Sequence, residues 1–170
     1  EDIAVLPRSG MVLNWPSMDI IKAWWMRESP EEQRRKSEEA IRRIYDLFRE
    51  ARAYAALSAF DTSKRDIRYD EFRRVFTDKL PVIVSASSRR QIEAVLNFAR
   101  EFDVRVILNG ATDAPSMLQE LKAAGIPVIV QRVHSLPSTN EAAYDEAYTL
   151  HSKLAAAGIP FAFSEVGAWQ

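Results

Sequence analysis

The feature that most constrains how this chain can fold is a phrase that occurs twice without change, Ala123-Ala124-Gly125-Ile126-Pro127 and Ala156-Ala157-Gly158-Ile159-Pro160. Each copy closes an apolar-periodic stretch with a glycine just past the last helical turn, where the left-handed conformation is needed, and places a proline ahead of a short apolar run. The phrase is a helix stop joined to a strand start. Around it the chain from Leu80 onward reads as alternating units. Pro81 to Val84 is a strand, and Ser87 or Ser88 caps a helix carrying Ile92, Val95, Leu96, Phe98 and Ala99. Val104 to Leu108 is the next strand, and Asp113 or Ala114 opens a helix through Met117, Leu118, Leu121 and Ala124. Pro127 to Val130 is a strand again, followed by a helix over about 141–157 and a strand at Phe161 to Phe163. Continuously apolar strands separated by amphipathic helices predict a parallel sheet with right-handed crossovers. The fold class is α/β, built of consecutive βα units over residues 80–170.

Residues 1–79 form a helical segment of the same domain. A short helix is expected from Met18, with Ser17 as its cap. A long one opens at Ser29-Pro30-Glu31-Glu32, where a cap, a proline at the first helical position and early acids coincide, and runs to about Ala59. Ile41, Ile44, Tyr45, Phe48, Ala51 and Ala55 recur on one face, and Glu31/Arg35, Glu32/Lys36, Glu38/Arg42 and Glu39/Arg43 stand one turn apart on the others. These acids neutralise the run Arg34-Arg35-Lys36, so it reads as a solvated face and not a phosphate patch. Trp15, Trp24, Trp25 and Met26 are expected to pack in the core or at an interface, and a short helix lies around Tyr69 to Phe76. Earlier strands are placed at Ile3 to Leu6 and Met11 to Leu13.

Several functions are excluded or disfavoured. The chain of 170 residues has no cysteine, which rules out disulfides, thiol catalysis and cysteine-held metals. Its 23 basic and 24 acidic residues cancel, which argues against nucleic acid and anionic membranes as partners. Its five glycines form no phosphate-cradling loop, and its serines sit in no nucleophile elbow. With no apolar run near the ~20 residues that span a bilayer, a soluble location is expected, in a bacterial cytoplasm or periplasm. The opening Glu1-Asp2 and the close at Trp169-Gln170, just past a strand, are read as the ends of a piece of a larger protein.

An eight-stranded barrel takes about 250 residues, so the chain supplies about half of one, or an open sheet; the residues alone do not choose. In both cases ligands sit at the carboxyl ends of parallel strands. Those ends are Ser85-Ala86-Ser87, Asn109 to Asp113, Gln131 to Ser135 and Ser164-Glu165. From them come the candidate residues. Ser85, Asn109 and Arg132 are substrate contacts. Glu165 is a general base or metal-facing acid. His134 is a ligand, a base, a substrate contact or a loop histidine bonded to backbone or water. His151, within a helix, is a helix-surface or packing residue.

The phrases Pro81-Val82-Ile83-Val84-Ser85-Ala86, Leu108-Asn109-Gly110, Ser135-Leu136-Pro137 and Ala157-Gly158-Ile159-Pro160-Phe161-Ala162-Phe163-Ser164 resemble the later half of the barrel in imidazolonepropionase-related amidohydrolases. Gly10 to Ser17 is similar to a segment preceding it in one branch. The resemblance implies a TIM-like barrel, a divalent metal such as zinc, and water attacking an amide-like C–N bond. It also implies metal-binding histidines where this chain has Ser85 and Asn109, and an acid near Ser164-Glu165. Neutral hydroxyl and amide oxygens bind a divalent ion weakly, so no metal and no cofactor are expected in this chain. The expectation is a divergent or partial amidohydrolase whose chemistry is completed elsewhere. Its partner is the remaining half barrel or a second copy, and its ligand is amide-like. The alternatives are a non-catalytic barrel partner and a small-molecule-binding α/β domain.

Overall fold

The computed structural model describes residues 9–57, 66–131 and 146–164. In chain order the elements are β1 (Met11–Asn14), α1 (Pro30–Ala56), α2 (Ile67–Thr77), β2 (Val82–Ala86), α3 (Arg89–Phe102), β3 (Val106–Gly110), a 3₁₀ turn (Ala114–Met117), α4 (Leu118–Ala124), β4 (Val128–Gln131), α5 (Glu146–Ala157) and β5 (Phe161–Ser164). The strands form one sheet in the order β1-β2-β3-β4-β5, and every neighbouring pair is parallel. Sequential order without a reversal keeps each crossover helix on the same side. A doubly wound sheet would reverse at a switch point; this one winds in the manner of a barrel wall.

Among the described residues, alternation along the strands agrees with covering on one face. Val82, Val84, Ala86, Val106, Leu108, Val128 and Val130 are buried beneath the helices. On the opposite face Ile83, Ser85, Ile107, Asn109, Ile129 and Gln131 are half-buried, while Val12, Asn14, Ala162 and Ser164 are exposed. A layer of aromatic rings lies over the covered face. Phe48 of α1 sits 4.7 Å from Phe98 and 5.5 Å from Phe102 of α3, and 5.4 Å from Phe72 of α2, all by ring centroids. Trp15, just after β1, meets Phe98 edge-on at 5.4 Å.

The local signals work as their chemistry requires. Ser29 Oγ accepts from Glu32 N at 3.2 Å while Glu32 Oε2 accepts from Ser29 N at 2.9 Å, so two orphan donors of α1 are satisfied reciprocally. Gly125 and Gly158 adopt φ of 63° and 72°, the left-handed stop that the repeated phrase demands.

Some expectations are corrected. No helix begins at Met18. Residues 15–28 form a loop pinned to α1, in which Gln33 bonds both the N–H and the C=O of Ile21 and the C=O of Glu28, and Ser37 Oγ donates to Ser17 O. These long-range bonds replace the intrahelical ones. Trp15 is buried in the core, whereas Trp24 and Trp25 are 92% and 64% exposed and are not part of it. Lys36 pairs with Glu28 and not with Glu32, whose carboxylate is spent on the cap, and Arg35 meets Glu39 and not Glu31. The third strand starts at Val106, two residues late, because Asp103 turns left-handed and Val104 N closes back onto Ala99 O. The strand expected at Ile3 to Leu6 and the segment 141–145 lie outside the described residues.

Candidate functional site

The carboxyl ends of β2, β3 and β4 carry Ser85, Asn109 and Gln131 on the uncovered face. They are joined by hydrogen bonds. Asn109 Nδ2 donates to Ser85 Oγ at 3.2 Å, and Gln131 Nε2 donates to Asn109 Oδ1 at 2.6 Å. Register explains the residue types. Ser85 and Asn109 are direct cross-strand partners, so two short side chains suffice. Asn109 is paired with Ile129, which leaves Gln131 on the diagonal, two residues further along. A diagonal neighbour lies roughly 7–8 Å away, and the extra methylene of glutamine closes that gap. Asn14 pairs with Ser85, and Ser164 with Gln131, extending the polar row to both outer strands.

Beneath this row Ile83, Ile107 and Ile129 form an apolar layer on the same face. A polar rim over an apolar floor is the usual make-up of a small-molecule site. Turning both amides over reverses the chain of donors, with Ser85 giving to Asn109 and Asn109 to Gln131. The Asn109 carbonyl is occupied in either sense.

The loops that follow the strands are tied together, which holds the row in place. Gln91 of α3 accepts from Ser87 N and Ser88 N and donates to Trp15 O and Pro16 O, linking the ends of β1 and β2. Asp113, after β3, accepts from Arg89 N at 2.9 Å and so caps α3 from the neighbouring loop. Gly110 makes the turn between them at φ 97°, and a Cβ there would stand 3.2 Å from Ser87 Oγ. Sequence reasoning missed Gln131, Gln91 and Asp113 as site residues. The position of Gln131 at a strand end was visible, but its reach to Asn109 depends on register.

Of the candidate residues, the structure brings Ser85 and Asn109 together. Arg132, His134 and Glu165 lie outside the described residues. His151 lies on α5 with its ring 5.7 Å from that of Phe163, as a packing residue would.

The positions where the family resemblance implies metal-binding histidines do not fit a divalent cation. Ser85 and Asn109 carry no charge, and each already spends hydrogen-bonding capacity on its neighbour. Among the described residues no three His, Asp or Glu side chains gather as a metal site. Among the described residues, too, no helix is long and apolar enough to cross a membrane.

No protein-family model matches this chain, and no curated protein matches it. Among solved structures it is similar to an amidohydrolase from Thermotoga maritima MSB8, with a TM-score of 0.64 and 16% identity over 91% of this chain. The chain spans 41% of the length of that neighbour. At this identity the likeness is one of fold: five parallel strands with their helices superimpose on part of an amidohydrolase structure.

Proposed function

We propose that this chain is one section of an amidohydrolase-type barrel and supplies the substrate-binding wall for an amide-like C–N bond. The observation that carries the reading is the hydrogen-bonded row Ser85–Asn109–Gln131, which stands on the uncovered face at the strand ends where such barrels bind ligands. Hydroxyl and carboxamide groups offer both donors and acceptors without charge. They suit a neutral amide, whose own N–H and C=O need one of each.

On this reading Glu165 is the general base, and His134 and Arg132 contact substrate. The kinship with imidazolonepropionase-related enzymes rests on the sequence phrases around these strand ends. The sheet face left uncovered by the described residues, and the edges of β1 and β5 that no described strand pairs, are closed by the remaining half of the parent barrel or by a second copy, since unpaired edges are templates for pairing. Any metal is held by residues beyond those described.

A second reading, a binding partner without catalysis, is favoured by one observation. The two positions expected to ligate metal are locked to each other and to Gln131 instead. Hydrolysis assays on cyclic and N-acyl amides, run on the polypeptide that joins this chain to its remaining barrel strands, separate the two. The enzyme reading expects turnover that falls at least tenfold in kcat/KM for Asn109→Leu. Amide binding without turnover in that polypeptide establishes the second reading.

A further inference from the structure

We propose that the end of the sheet opposite the polar row carries a separate site, for a monoanion with an apolar body such as a medium-chain carboxylate. A cavity of about 550 Å³ opens there, among the loops that lead into β2, β3, β4 and β5. That volume falls within the range of small-molecule sites, roughly 300–1,000 Å³. Its floor is apolar, with Leu96 and Ala99 of α3, Val104 and Ile126 among the lining residues.

Two arginines, Arg100 and Arg105, both exposed, belong to the same lining. Neither makes an ion pair or a side-chain hydrogen bond with another described residue. Arg49 meets Asp46 and Glu101, Arg74 meets Glu71 and Asp78, and Lys79 is committed to Asp103. The one acid that lines the cavity, Asp103, is therefore already neutralised, and its lysine partner holds its carboxyl below the usual range.

Charge arithmetic selects the class of ligand. The carboxyl ends of α3 and α4 face this region, and each helix end contributes roughly half a negative charge. Those carbonyls are partly quenched: Ala99 O accepts from Val104 N, and Leu121 O from Ile126 N. Two full positive charges set against two partial negative ones leave about one positive charge. A monocarboxylate matches it, and the planar fork of arginine suits a carboxylate well. A neutral apolar molecule would leave both guanidinium groups unused, and a dianion would meet the helix ends.

The test compares octanoate with 1-octanol on the whole chain, followed by NMR shifts of the backbone amides. Octanoate is expected to bind at least tenfold more tightly than octanol, with shifts at Arg105, Gly125 and Ile126, and to weaken as salt rises. The double variant Arg100→Gln, Arg105→Gln is expected to lose the tenfold preference and keep its octanol affinity. Ala124→Trp, at an exposed position in the lining, is expected to weaken both ligands. Equal binding of the two probes, an unchanged preference in the double variant, or shifts confined to Ile83, Ser85 and Asn109 on the uncovered face would each overturn the proposal. These outcomes are independent of the strand-end site, because no residue of the polar row is altered.

Discussion

Gln131 Nε2 lies 2.6 Å from Asn109 Oδ1, a contact between adjacent strands made across a diagonal of the register. It fixes the plane of the Asn109 amide, and Asn109 in turn bonds Ser85. A double-mutant cycle over Gln131→Ala and Asn109→Ala is expected to give a coupling of about 0.5–1.5 kcal/mol in urea unfolding, the range for a half-buried neutral hydrogen bond. A coupling near zero would show that the two amides act independently.

The aromatic layer carries the packing between the helical segment and the βα units. Phe48 is 1% exposed and is ringed by Phe72, Phe98 and Phe102. Phe48→Ala is expected to cost about 3–5 kcal/mol, read as a fall in the urea midpoint, while Phe163→Ala, at 58% exposure, costs far less. Similar losses at the two positions would mean that α1 is not docked on the core described.

Much of this fold was legible in the sequence because its signals are local. Gly125 and Gly158 stop helices by a local conformation, and short β-branched runs such as Val128-Ile129-Val130, bounded by glycine and proline, suit a covered parallel strand. Barrel or open sheet could not be chosen from the residues, since that choice lies in strand order. The loop 15–28 was misread for a related reason. Ser17, Asp19 and the following apolar residues imitate a helix start, and the deciding bonds come from Gln33 and Ser37 of a different element. Ser85 and Asn109 were legible as strand ends. Gln91 and Asp113 were not, because their roles are bonds to Pro16 and Arg89 that no local pattern announces.

Stability is expected to fall in acid. Glu32 is held below its ordinary 4.5, chiefly by the backbone N–H of Ser29 and then by the Ser29 side chain, and Asp103 lies below its ordinary 3.8 through Lys79. A carboxyl whose pKa is depressed by folding contributes stability above its unfolded value, and that contribution is lost as pH falls through the folded value. The loss therefore begins below about pH 4.5, and Glu32→Gln removes part of the slope. A thermal midpoint that does not change from pH 5 to pH 3 would contradict this.

The chain by itself is expected to hold no stoichiometric divalent metal at neutral pH and to leave cyclic and N-acyl amides uncleaved. Elemental analysis after dialysis, together with an amide assay, checks both. Near one equivalent of zinc, lost along with activity in Glu165→Gln or His134→Ala, would place a working centre within these residues.

The central claim, that the row at the strand ends is an amide-binding wall, is tested most directly by titrating the ¹⁵N-labelled chain with 2-pyrrolidone and following the side-chain amide signals of Asn109 and Gln131. The account predicts that both signals move together along one saturable curve, and that Asn109→Leu abolishes the movement at Gln131 without unfolding the chain. Signals that stay fixed up to saturating probe, or a Gln131 response that persists in Asn109→Leu, would contradict it.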